Sequence, residues 1–148
     1  MFLGCTSLTQ APELPANTLA DYCYYGMFYG CTSLTKAPEL SATTLAKSCY
    51  YGMFTGCTSL TQAPELPATT LEDYCYYNMF DGCTSLSSVT MLATDVSATN
   101  CLSNWLYNAG TQASSRTLTL ANSEAYGAIE SYLPDNWKSG QATIQYAN

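Results

Sequence analysis

The chain consists largely of successive copies of one 26-residue unit. The copies begin at Met1, Met27, Met53 and Met79. Two rows of cysteine keep the same step: Cys5, Cys31, Cys57 and Cys83, and Cys23, Cys49, Cys75 and Cys101. A fixed period of about 20–50 residues is typical of a solenoid, in which each unit buries its apolar face against its neighbours. The repeat therefore predicts an α/β solenoid of four stacked 26-residue coils.

Within one copy the apolar pattern changes once. Leu45, Cys49 and Met53 recur every four residues, which predicts one face of a short helix over 44–54, ended by Gly56. The threonine-rich stretch that follows predicts a short strand at 59–63, and Pro64 limits its pairing because proline has no N–H. We therefore expect a short parallel strand and a short helix in each coil.

The repeat fades after residue 86, although Trp105 still falls one full repeat after Met79. Solenoids need an atypical terminal unit to cover their last apolar face. The sequence predicts a repeat solenoid over 1–106 and a C-terminal cap over 107–148, with Trp105 and Trp137 as its bulky residues. The cap is predicted to contain a strand at 116–120, a helix at 123–133 with Ser123 as its N-cap, and a strand at 142–146.

The composition of the chain argues against several functions. It contains 4 Lys+Arg, 11 Asp+Glu and no histidine, for a net charge of −7. Nucleic acid requires basic surfaces, so it is not expected as a partner. No apolar run approaches the ~20 residues of a membrane span, so membrane insertion is not expected. Catalysis and cofactors are not expected either, because no nucleophile has a histidine base. The enzyme alternative is a carboxylate pair among Asp95, Glu124, Glu130 and Asp135.

The cysteines and the glutamates each allow two interpretations. Equivalent side chains in adjacent coils point the same way, which favours buried free thiols over disulfides, the alternative. No CxxC spacing supports zinc. Glu13, Glu39 and Glu65 share a position and predict a solvated acidic row; a calcium site is the alternative. We therefore expect no metal.

Two tyrosine rows follow the repeat, at Tyr24-Tyr25, Tyr50-Tyr51 and Tyr76-Tyr77. Successive helical positions point about 100° apart, so we expect one row to pack between coils and the other to cover the outer face. The alternative is an aromatic platform for sugar rings or a partner protein. With two positions that vary between copies added, the candidate binding residues are Tyr25, Tyr51, Tyr77, Tyr29 and Lys36.

The first copy predicts an open edge with an apolar cross-section, formed by Met1, Phe2, Cys5, Leu8 and Leu14. Such an edge recruits another chain unless it is blunted. A closed two-fold dimer and a head-to-tail filament are both compatible with it. A self-assembling structural protein is therefore the alternative function.

The stretches Met27-Phe28-Tyr29-Gly30-Cys31-Thr32-Ser33-Leu34, Ala37-Pro38-Glu39-Leu40 and Thr43-Thr44-Leu45 resemble the BspA-like leucine-rich repeats. These repeats occur in surface proteins of anaerobic gut bacteria and in some of their phages. The likeness covers 1–106 and implies a right-handed, leucine-rich-repeat-like solenoid with a parallel strand row. It also implies an extracellular or cell-surface protein that adheres to a protein or glycan and is not an enzyme.

Overall fold

The computed structural model describes residues 2–147, so Met1 of the expected open edge lies outside the described part of the chain. The elements are β1 (Ser88–Met91), β2 (Thr117–Leu120), α1 (Ser123–Ile129), the 3₁₀ turns Glu130–Tyr132 and Asp135–Trp137, and β3 (Thr143–Tyr146). The strands form an open parallel sheet in the order β1-β2-β3. No helix within 2–147 has the length and apolar character needed to cross a lipid bilayer.

Before β1, neighbouring copies meet through isolated parallel bridges, not full strands. Gln10 pairs with Lys36, and Gln62 pairs with Ser88 at the start of β1. The strand expected at 59–63 is thus reduced to one bridge. The reason is proline: Pro12, Pro38 and Pro64 share one position, and β1 forms in the copy where Thr90 replaces them. Threonine restores the N–H that proline lacks.

The prediction of a helix over 44–54 is wrong. The segment is a series of turns in which every fourth residue is left-handed, with φ of 54° at Ser48, 59° at Gly52 and 75° at Gly56. An α-helix needs φ near −60° throughout, so each such residue ends it.

The turns hydrogen-bond in two directions. The N–H of Met53 donates to Tyr50 O within the turn (3.1 Å), and the N–H of Phe54 donates to Met79 O in the next copy (2.9 Å). An α-helix would use its interior N–H groups internally and leave none for this pairing. The apolar spacing of four matches both structures, but glycine at the same spacing favours turns.

Identical apolar residues stack in rows through the core. The rings of Phe2, Phe28, Phe54 and Phe80 follow one another at centroid distances of 5.5, 5.6 and 5.6 Å. Trp105 stands in the methionine position, because Phe80 N–H donates to its carbonyl as Phe54 N–H does to that of Met79. The indole of Trp105 is fully buried.

The C-terminal segment largely follows the sequence prediction. The strands expected at 116–120 and 142–146 are confirmed as β2 and β3. The helix is shorter than expected, since α1 ends at Ile129 and continues as a 3₁₀ turn. Its N-cap is Asn122, not Ser123: Asn122 Oδ1 accepts from Ala125 N–H at 3.0 Å. Trp137 is buried, and its Nε1 donates to Ala109 O at 2.9 Å.

Candidate binding surface

The inner tyrosine row packs between copies. Tyr24, Tyr50 and Tyr76 stack at 6.0 and 6.1 Å, and the last two are buried. Burial raises the pKa of Tyr50 and raises the pKa of Tyr76 well above its ordinary value. Tyr50 and Tyr76 are therefore part of the core, and Tyr24 packs against it.

The outer row is solvent-facing and tightly stacked. Tyr25 and Tyr51 lie 4.6 Å apart at an interplanar angle of 15°, and Tyr51 and Tyr77 lie 4.7 Å apart at 21°. Partial removal of the Tyr51 ring from solvent is the main cause that raises its pKa, and the neighbouring Tyr25 and Tyr77 raise it further. Because both faces of the Tyr51 ring are covered by its neighbours, this row presents ring edges and hydroxyl groups.

Two further tyrosines, which are not among the candidate residues named from the sequence, extend this surface. Tyr22 contacts Tyr25 at 6.0 Å and 47°, and Tyr74 contacts Tyr77 at 5.6 Å and 49°. Each stands three residues before its partner in the same copy. That spacing is the signal that could have revealed them. We define the aromatic face as Tyr22, Tyr25, Tyr51, Tyr74 and Tyr77.

The other two candidate residues lie in different places. Tyr29 is exposed and lines a small cavity of about 80 Å³ with Tyr25 and Tyr51, beside the aromatic face. Lys36 is exposed in a separate groove beside Pro38 and Pro64. The structure therefore does not bring Lys36 to the aromatic face.

The residues expected at the open edge are less buried than their equivalents. Phe2, Leu8 and Leu14 are half-buried and Cys5 is exposed, whereas the equivalent residues of the next copy are buried: Phe28, Leu34, Leu40 and Cys31. Within residues 2–147, nothing covers this face of the first copy.

All eight cysteines are free, and six of them are buried as expected, whereas Cys5 is exposed and Cys23 is half-buried. Burial raises the pKa of the Cys49 and Cys57 thiols to about 12. A thiol is nucleophilic or metal-binding only as the thiolate, so these buried thiols are inert at neutral pH.

The acidic row is solvent-exposed, at Glu13, Glu39 and Glu65. Among residues 2–147, no group of three or more His, Cys, Asp or Glu side chains is arranged to hold a metal ion. The calcium alternative therefore gains no support from the described part of the chain.

Comparison with known proteins leaves the chain without a matching family. No protein-family model, no curated protein and no solved structure matches it. The resemblance to BspA-like repeats therefore stays a prediction.

Proposed function

We propose that the 26-residue copies stack as a four-coil solenoid capped by residues 107–148, and that this solenoid is a non-enzymatic binding module. Support for the stacking comes from the backbone hydrogen bonds that join each copy to the next, such as Tyr24 N–H to Cys49 O (3.0 Å) and Tyr50 N–H to Cys75 O (3.1 Å). The resemblance to BspA-like repeats supports an extracellular or cell-surface location and a role in adhesion.

The aromatic face is the observation that carries the binding proposal. Its members lie in contact on one surface, and Tyr22 and Tyr25 are 52% and 47% exposed. Exposed tyrosines commonly anchor interfaces, because the ring supplies apolar area and the hydroxyl supplies a hydrogen bond. Stacking covers both ring faces of Tyr51, so a protein or glycan would meet its hydroxyl group and ring edge there.

A glycan array and a pull-down from host-cell and neighbouring-cell extracts test this proposal. We expect Tyr25→Ala/Tyr51→Ala/Tyr77→Ala to lose the signal of the unmodified chain. The matched control is Tyr107→Ala/Tyr132→Ala, which removes exposed tyrosines elsewhere. No signal in either assay, or equal signals from the two variants, would contradict the proposal.

Head-to-tail self-association is a second candidate function, and hydrogen-bond polarity favours it. The carbonyls of Lys47, Cys49 and Tyr51 accept N–H groups from the preceding copy. Their first-copy equivalents, on Asp21, Cys23 and Tyr25, accept no hydrogen bond within residues 2–147. In a two-fold dimer, the carbonyl groups of one such face would meet the carbonyl groups of the other, and no hydrogen bond would form between them. Polarity therefore disfavours the dimer and favours a partner end that supplies donors.

We propose that β3 is the segment that would meet this face, at the strand position of the first copy marked by the Gln10 bridge. It is an exposed edge strand, and its parallel direction is shared with the bridge at Gln10. The N–H groups of Thr143 and Ala147 point inward to Arg116 O and Leu120 O. Strand alternation therefore leaves the N–H of Tyr146 outward, available to another copy.

Sedimentation velocity over a concentration series tests this second candidate. Tyr146→Pro removes the outward N–H, and Tyr146→Ala is the control that keeps it. We expect assembly of the unmodified chain and of Tyr146→Ala, but not of Tyr146→Pro. A monomer at all concentrations, or equal assembly of both variants, would rule out this geometry.

A further inference from the structure

One position of the repeat carries a tyrosine in two copies and lacks it in the copy between them. Tyr22, Ser48, Tyr74 and Asn100 are equivalent, each one full repeat after the last. All four are left-handed, with φ of 61°, 54°, 57° and 50°. Glycine and asparagine adopt this conformation most readily, so backbone energetics alone do not favour tyrosine there.

Ser48 contributes no ring between the two tyrosines. In the adjacent outer row, neighbouring rings are 4.6 and 4.7 Å apart, and Tyr22 and Tyr74 are separated by two copy steps. Both are tilted almost equally against the outer ring of their own copy, by 47° and 49°. They form two sides of a notch of about 240 Å³, which we call the tyrosine slot; its lining is Tyr22, Tyr25, Lys47, Ser48, Tyr51 and Tyr74.

We propose that the tyrosine slot binds one flat aromatic ring, a tyrosine-like side chain presented by a partner protein. The proposal rests on the proposed binding function and names the group that the aromatic face recognises. Aromatic pairs are favourable at centroid distances of about 4.5–7 Å, and a ring held between Tyr22 and Tyr74 would pack against both. The notch is smaller than the roughly 300–1,000 Å³ of a drug-sized pocket, which suits a single ring.

The polar groups of the slot suit a phenol. Ser48, only 3% exposed, lines the slot in place of a ring, and Lys47 is exposed beside it. The position of Lys47 is set by its backbone N–H, which donates to Asp21 Oδ1 at 3.2 Å. A serine hydroxyl and a lysine ammonium both hydrogen-bond to a phenolic oxygen.

One wall of the slot is held by a side-chain hydrogen bond. Asn100 Nδ2 donates to the Tyr74 hydroxyl at 3.1 Å, and the Tyr74 ring also lies 6.5 Å from Tyr51. For Tyr22 the residue in the place of Asn100 is Ser48, whose side chain is too short to reach a tyrosine hydroxyl in the same way. A wall that is already fixed lowers the ordering cost of binding.

A titration with N-acetyl-tyrosinamide, followed by NMR shifts of the slot residues, tests the proposal. Ser48→Tyr fills the slot with the chain's own ring, and the backbone accepts it because Tyr22 and Tyr74 hold the same left-handed conformation. Ser41→Tyr, at an exposed position in another groove, is the matched control. We expect Ser48→Tyr to weaken binding at least tenfold and Ser41→Tyr to leave it unchanged.

Three results would overturn the proposal: no binding of N-acetyl-tyrosinamide, equal binding by Ser48→Tyr, or binding of methyl glucoside in its place. These results would leave the proposed binding function standing, because the pull-down with Tyr25→Ala/Tyr51→Ala/Tyr77→Ala tests that function separately. A partner captured by the unmodified chain but not by Ser48→Tyr would support both.

Discussion

The thiol of Cys57 donates to the carbonyl oxygen of Phe28, 3.2 Å away in the preceding copy. Cys31 makes the same contact with Phe2 O and Cys83 with Phe54 O, each at 3.0 Å. A thiol is small enough for the close approach of two copies and still supplies a weak donor. This contact explains why the row is cysteine without any disulfide.

Cys57→Ala should lower the free energy of unfolding by about 1–3 kcal/mol, because it leaves a small cavity and removes the thiol contact. Urea unfolding under reducing conditions measures the loss. The control is Cys5→Ala, at the exposed position of the same row, where we expect almost no change. Equal effects of the two substitutions would contradict this account.

Stability should fall in alkaline solution. Burial raises the pKa of Cys57 from its ordinary 9.0 to about 12, so the folded state keeps a proton that the unfolded state loses. The stabilisation is complete below pH 9 and declines as the pH rises towards 12, by about 1.4 kcal/mol per pH unit for each such group. Urea unfolding between about pH 8 and pH 11 tests this, and a flat profile would show the prediction to be wrong.

The left-handed glycines should resist substitution. Gly56→Ala places a Cβ at φ 75° and should destabilise the protein by about 1 kcal/mol. Gly127→Ala is the matched control, since Gly127 lies inside α1 with open space around it and should gain about 0.5–1 kcal/mol. Thermal unfolding of the two variants should therefore shift in opposite directions.

Arg116 joins three parts of the C-terminal segment. Its Nε donates to Asn136 O at 2.7 Å, and its Nη1 donates to Gly110 O at 3.0 Å and Ala113 O at 3.2 Å. Lysine cannot reproduce the forked contacts of the guanidinium, so Arg116→Lys should lower the free energy of unfolding by about 1.5–3 kcal/mol. Urea unfolding monitored by tryptophan fluorescence measures this loss.

Lys138→Met is the control for Arg116→Lys, because the Lys138–Asp135 ion pair (3.5 Å) is on the surface and contributes little. If both substitutions destabilise the protein equally, the carbonyl contacts of Arg116 are not what holds the segment.

Much of the aromatic face could be located from the repeat alone. Tyr25, Tyr51 and Tyr77 follow the period and meet in one stack, because equal spacing along the chain becomes equal position across hydrogen-bonded copies. Tyr22 and Tyr74 were missed because Ser48 interrupts their row and hides the pattern. Lys36 lies in a separate groove, because variation between copies identifies exposed positions without saying which surface they share.

The sequence by itself determined the period, the register of Trp105 and the strands at 117–120 and 143–146. Each depends on local chemistry or on counting along the chain. Tertiary structure decided that 44–54 forms turns, because apolar spacing of four fits either a helix or a turn series and the glycines at that spacing only favour the turns. The turn series prevails because its unused N–H groups bond to the next copy, as Phe54 does to Met79. That partner lies almost one full repeat away along the chain and is invisible to any local pattern.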